Sequence, residues 1–186
     1  MDTTTDEAAL RDSRRHQLAY KLMTYKVRTR TISAMTGLSP EQQRNLRQRW
    51  GITERMRPRG SSPVSLSRFT CSTRARSDGV SLAAICRAYG LFLPQAVAEI
   101  SQRAPLSLEL AERLCQAYET FCACFPHGRL QFESLLNFVL GITRNEVIGL
   151  GQCAFCSATV LIDRLDSRQP TCGQCRSAKA ATRGST

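Results

Sequence analysis

No run of apolar residues in this sequence reaches the roughly 18–20 that a membrane-spanning helix requires. The longest uncharged stretch, Val147 to Ile162, is interrupted by Gly149 and Gly151 and carries Cys153 and Cys156, so a membrane span is excluded. The N-terminus holds Asp2, Asp6 and Glu7 and lacks an apolar core, which argues against a secretory leader. Nine cysteines would otherwise suggest a disulfide scaffold, but without a leader the expectation is reduced thiols in a cytoplasmic protein. Histidine is scarce, His16 and His127 being the whole supply, and no glycine-rich phosphate loop or acid/base pair accompanies them. That leaves no catalytic constellation, and the chain is not expected to be an enzyme. No internal repeat of fixed period is present.

Acid is scarce in one region only. Residues 1–76 hold 16 of the 26 Lys and Arg but six of the 15 Asp and Glu, a net of +10, against +1 for residues 77–186. A concentrated positive field draws polyanions and releases counterions condensed on DNA or RNA. A merely solvated basic surface is the bland alternative. An anionic membrane fits less well, because the arginines do not line one face of a single amphipathic helix.

Periodicity and breakers predict a mainly α chain in four parts. Residues 1–51 read as a helix-turn-helix-like region, 52–79 as a basic linker or arm, 80–148 as a helical core and partner-binding region, and 149–186 as a four-cysteine ribbon with a basic tail. Leu18, Leu22 and Tyr25 place a first helix over about 10–25, and Ile32 and Met35 a short second one over 28–36. Gly37 makes the turn. Ser39-Pro40-Glu41-Gln42 has the form of a capping box, and Gly51 ends the helix that it opens. Residues 52–79 are rich in Pro, Gly, Ser and Arg and show little periodicity. Apolar helices follow over about 80–100, with a break at Pro94, then 106–124 and 129–141. Leu91, Phe92, Leu93, Leu135, Phe138 and Leu140 point in more than one direction, more than one small chain is expected to bury, so an obligate partner is expected.

Helix, glycine turn and capped helix form the grammar of a helix-turn-helix reader. Winding residues 39–50 at about 100° per residue puts Ser39, Leu46 and Trp50 inward, with Glu41, Arg44, Arg47 and Gln48 outward. Arginine and glutamine suit guanine and adenine edges in the major groove, so Arg44, Arg47 and Gln48 are the candidate base readers. Arg55, Arg57 and Arg59, beyond Gly51, are candidates for phosphates or a minor groove. Gln43 falls inward, where an aliphatic residue is usual. A plain helical hairpin with a solvated basic face is the competing reading.

The cysteines are sharper. Cys153-Ala-Phe-Cys156 and Cys172-Gly-Gln-Cys175 stand at the spacing of paired zinc knuckles. Two residues between thiolates let both sulfurs reach one ion, with Gly173 as the flexible position of the second knuckle. Ser157 to Asp163 reads as a strand, giving a zinc ribbon. Four cysteines close the coordination sphere, so one structural zinc ion per chain is expected, its negative charge partly offset by Arg164, Arg168, Arg176 and Lys179. Redox use of the two pairs is the weaker alternative. Cys122, Cys124 and His127 could be imagined as a second metal site, but these two cysteines, like Cys86 and Cys115, are better read as core thiols.

The order of these parts resembles the FlhC family of bacterial flagellar transcriptional activators. The likeness runs through Leu18-Ala-Tyr-Lys-Leu22, Thr36-Gly-Leu-Ser39, Asn45-Leu-Arg-Gln-Arg-Trp-Gly51, Pro58-Arg-Gly60 to Phe69, Cys115-Gln-Ala-Tyr118 and Gly149-Leu-Gly-Gln-Cys153. The resemblance implies a non-enzymatic activator that binds double-stranded DNA and assembles with an FlhD-like chain. It further implies recruitment of RNA polymerase at flagellar or related genes, with zinc on Cys153, Cys156, Cys172 and Cys175. A zinc-ribbon module for RNA or protein binding is the alternative.

Overall fold

The computed structural model describes residues 3–52, 65–102, 105–126 and 130–183. Among these residues, eight α-helices and one two-stranded sheet make the chain mainly helical, as the periodicity predicts. Helix α1, Thr3–Thr24, turns Leu18, Ala19, Leu22 and Met23 into the core. It ends where Val27 N–H donates to Leu22 O at 2.9 Å and Lys26 N–H to Met23 O at 3.0 Å. This double closure places Lys26 in the left-handed region at φ 58°, a position that glycine usually fills. Helix α2, Thr29–Thr36, stops at Gly37 with φ 72°, and Gly37 N–H donates to Ser33 O at 2.9 Å.

Helix α3, Pro40–Arg49, begins as its sequence predicts. Gln42 N–H donates to Ser39 Oγ at 3.2 Å while Ser39 N–H donates to Gln42 Oε1 at 2.8 Å. Gly51, at φ 64°, closes the other end, with Ile52 N–H donating to Arg47 O at 2.9 Å. Ser39→Ala removes one of the two reciprocal bonds and is expected to cost about 1 kcal/mol, read from urea unfolding. An unchanged unfolding midpoint would show that packing alone holds this terminus.

The region expected to be a linker is structured over its second half. A 3-10 turn at Leu66–Phe69 buries Phe69 against Phe138, ring centroids 4.7 Å apart, and α4 runs from Thr73 to Ala88. Helix α4 therefore starts seven residues earlier than periodicity suggests, because its first turns are polar and Ser72 caps them by accepting from Ala75 N–H at 3.0 Å. The rest of the expected arm, residues 53–64, lies outside the described residues. Gly90 ends α4, and α5, Pro94–Ser101, starts at the proline. Helices α6, Leu108–Cys124, and α7, Phe132–Arg144, follow.

Strand β1, Ile148–Gln152, pairs antiparallel with β2, Thr159–Asp163, in the register Ile148 to Asp163 and Leu150 to Leu161. Helix α8 spans Gly173–Arg183. One continuous apolar cluster joins Leu18 and Leu22 of α1, Ile32 of α2, Leu82 of α4, Leu114 of α6, Phe138 of α7 and Leu161 of β2. The helix-turn-helix-like segment thus shares its core with the middle helices instead of standing apart on a core of its own. The expected surplus of apolar surface around α5 and α7 does not materialise. Leu91, Leu135 and Phe138 are fully buried and Phe92 and Leu140 half-buried, leaving Leu93 exposed.

Two glycines let the cysteine-bearing unit sit down on α4. A Cβ at Gly79 would stand 2.7 Å from Leu161 Cδ2, and one at Gly173 would stand 3.0 Å from Thr73 Cγ2. Gly173 is helical and opens α8, so it serves close approach and not the flexible turn expected of it. Polar links reinforce the seat: Thr70 Oγ1 donates to Asp163 Oδ2 at 3.0 Å, and Arg76 Nη2 meets Asp166 Oδ2 at 3.5 Å.

Candidate metal centre and helix α3 face

The first knuckle sits in the connection between β1 and β2. Cys153 N–H donates to Ala158 O at 2.8 Å and Ser157 N–H to Cys153 O at 3.0 Å. Ser157 adopts the left-handed conformation, φ 57°, that turns the chain back under Cys156. The second knuckle is the first turn of α8, and Ala154 N–H donates to Pro170 O at 2.9 Å across the gap between the two. The result brings the four sulfurs of Cys153, Cys156, Cys172 and Cys175 within 4.8 Å of one another. Among the described residues, no other cluster of three or more His, Cys, Asp or Glu side chains is gathered in this way.

Backbone amides aim at these sulfurs. Cys172 N–H donates to Cys153 Sγ at 3.3 Å, and Cys175 N–H to Cys172 Sγ at 3.4 Å. The amides of Cys172, Phe155 and Cys156 pull the Cys153 thiol down to about 6, so its thiolate forms first. The Cys172 and Cys156 thiols beside it push Cys175 up to about 12. Crowded sulfurs of this kind resist losing their protons together unless a cation sits among them, and a bound metal deprotonates its thiols outright. The donor set therefore fits one metal ion. Of the cations expected to offset the centre's charge, Arg168 is paired with Asp166, whereas Arg164 keeps its charge beside a neutral carboxamide. Arg164 Nη2 donates to Asn145 Oδ1 at 2.8 Å, and Arg168 takes both Asp166 oxygens at 2.9 Å.

Helix α3 presents a second candidate surface. Arg44 and Gln48 are exposed, as their winding predicts, and Glu41, Asn45 and Arg49 share their side. Arg47 does not: it is 7% exposed and lies on the inward side with Gln43, which is 1% exposed. The two are one helical turn apart, so the side that buries Gln43 buries Arg47 as well. Asn45 and Arg49, which the winding centred on Leu46 left out, replace it on the exposed face. Trp50 holds the end of the helix against α1, its ring perpendicular to that of Tyr20 at 5.3 Å. Arg55, Arg57 and Arg59 lie outside the described residues, as does His127 of the imagined second metal site. Of its cysteines Cys122 is half-buried and Cys124 exposed, whereas Cys86 and Cys115 are buried, as core thiols should be. Among the described residues, no helix is long and apolar enough to cross a membrane.

Comparison with protein-family models finds no match, and comparison with curated proteins finds no significant one.

Proposed function

We propose that this chain is the DNA-binding, zinc-containing subunit of a transcriptional activator of the FlhC kind, cytoplasmic and without enzymatic activity. In this reading it works beside an FlhD-like partner and RNA polymerase at flagellar or related genes. The observation that carries the DNA-binding part is the exposed side of α3. Glu41, Arg44, Asn45, Gln48 and Arg49 form one polar surface, on a helix that follows α2 after a three-residue turn containing a left-handed glycine. These side chains match the donor and acceptor patterns of base edges in the major groove. The basic excess of residues 1–76 supports the attraction to a polyanion. The partner, the polymerase and the genes rest on the family resemblance of the sequence.

Zinc is the ion that the donor chemistry favours. Tetrahedral zinc thiolate bonds of about 2.3 Å separate sulfurs by roughly 3.8 Å, close to the 3.6 Å between Cys156 and Cys172. All four positions are filled by cysteine, which leaves none for water or substrate and gives the ion a structural role.

Selection from a random duplex library by the zinc-loaded chain, alone and co-expressed with FlhD-like proteins, tests the reading. A recurring sequence motif is expected. Selection of single-stranded RNA instead, or of nothing but protein partners, would transfer support to a zinc-ribbon interaction module.

A further inference from the structure

Gln43 occupies the place on α3 where a helix-turn-helix normally packs an aliphatic side chain, yet it is 1% exposed and polar. Its Nε2 group faces three acceptors: Ser33 Oγ at 2.8 Å, Leu38 O at 3.1 Å and Thr29 O at 3.2 Å. Those acceptors come from the first turn of α2, its middle and the turn that leads into α3. The carboxamide therefore grips both ends of the unit against which α3 is seated. The orientation of the amide is fixed by this surrounding, since an oxygen in place of Nε2 would confront two carbonyls with no proton between them.

This arrangement is a poor way to gain stability. Gln43 Oε1 is buried with no hydrogen-bond partner among the described residues, and an unsatisfied buried acceptor is costly. Two of the acceptors have other donors. Ser33 Oγ–H already donates to Leu38 O at 2.8 Å, and Thr29 O lies within the hydrogen-bond ladder of α2. An aliphatic residue of equal volume would fill the space without the orphaned oxygen. It would not fix direction, because apolar contact is non-directional while hydrogen bonds are steeply angular.

We propose that Gln43 is a positioning residue that sets the rotation and pitch of α3 on α2, and so decides which exposed side chains of α3 meet base edges. The second half of this rests on the DNA-binding reading above; the first half does not. Buried polar groups elsewhere fix helix register at the expense of stability in the same manner.

The test uses the full metal-loaded chain with Gln43→Met, which keeps the volume and removes the carboxamide. Its thermal midpoint should stay within a few degrees of the wild type. Amides of α3 should exchange with solvent about tenfold faster while those of α1 and α6 are unchanged. The ratio of affinities for a duplex selected by the wild type and a scrambled duplex should fall about tenfold, with binding to the scrambled duplex unaltered. If Gln43→Met fails to fold, Ser33→Ala removes one acceptor from outside α3 and is judged by the same two readings. Unchanged exchange in α3 overturns the positioning role. Loosened α3 with unchanged discrimination overturns its part in reading DNA. Should the wild type select no duplex, the functional reading fails on its own and exchange alone decides the role of Gln43.

Discussion

Stripping the metal from the purified chain with a strong chelator is expected to release one zinc ion per chain and to lower the thermal midpoint by roughly 8–16 °C, on the basis of about 4 kcal/mol lost. That figure is a fraction of the 10–16 kcal/mol or so measured for isolated zinc-finger peptides. The reduction is physical: β2 keeps Leu161 in the common core and Thr70 keeps its bond to Asp163, so part of the ribbon is seated without the ion. Helix α8 has less to hold it. Its first turn carries Cys175 into the cage and touches α4 at Thr73, so helical signal from its 11 residues should go first. Cys153→Ser should reproduce the loss. Cys71→Ser should not, since that exposed thiol donates to Arg68 O at 3.3 Å and lies outside the cage. A metal-free chain that melts where the loaded one does would refute the structural role.

Binding to duplex DNA should collapse with salt. Arg30 of α2 and Arg44 and Arg49 of α3 are exposed, and Arg55, Arg57 and Arg59 follow in the sequence. With Arg44 on a base edge, the other five on phosphates give a slope of about −4.5 in log affinity against log salt, or a loss of about five hundredfold between 50 and 200 mM. Most of this loss should be shared by selected and scrambled duplexes. Fluorescence anisotropy across that salt range reads the slope directly. A slope shallower than about −2 would mean that the basic N-terminal region does not lie on the backbone.

Much of this architecture was legible because its signals are local. The capping box at Ser39 and Gln42, the stop at Gly51 and the two Cys-x-x-Cys knuckles each depend on residues a few positions apart, and each is present as its spacing predicts. Local signals mislead where distant packing decides. Winding α3 about Leu46 and Trp50 sends Arg47 outward, whereas it is buried. The true centre lies nearer Gln43, whose partners Thr29 and Ser33 are in another helix. Strand β1 was disguised by Gly149 and Gly151, since glycine is a weak strand former. A Cβ at Gly151 would meet Ile162 Cδ1 at 2.1 Å across the sheet. The start of α4 was hidden by a Ser- and Arg-rich composition that resembles a linker. Its buried side, Gly79, Leu82, Ala83 and Cys86, begins only at its seventh residue.

The central claim, that α3 reads base sequence, is tested most directly by titrating wild type and Arg44→Ala against the selected duplex and its scrambled counterpart at one salt concentration. Arg44→Ala is predicted to lose about 1–3 kcal/mol on the selected duplex. On the scrambled duplex it should lose only the small share owed to one charge, so that discrimination narrows. Equal losses on both duplexes would contradict the claim and leave α3 as a surface for phosphates alone.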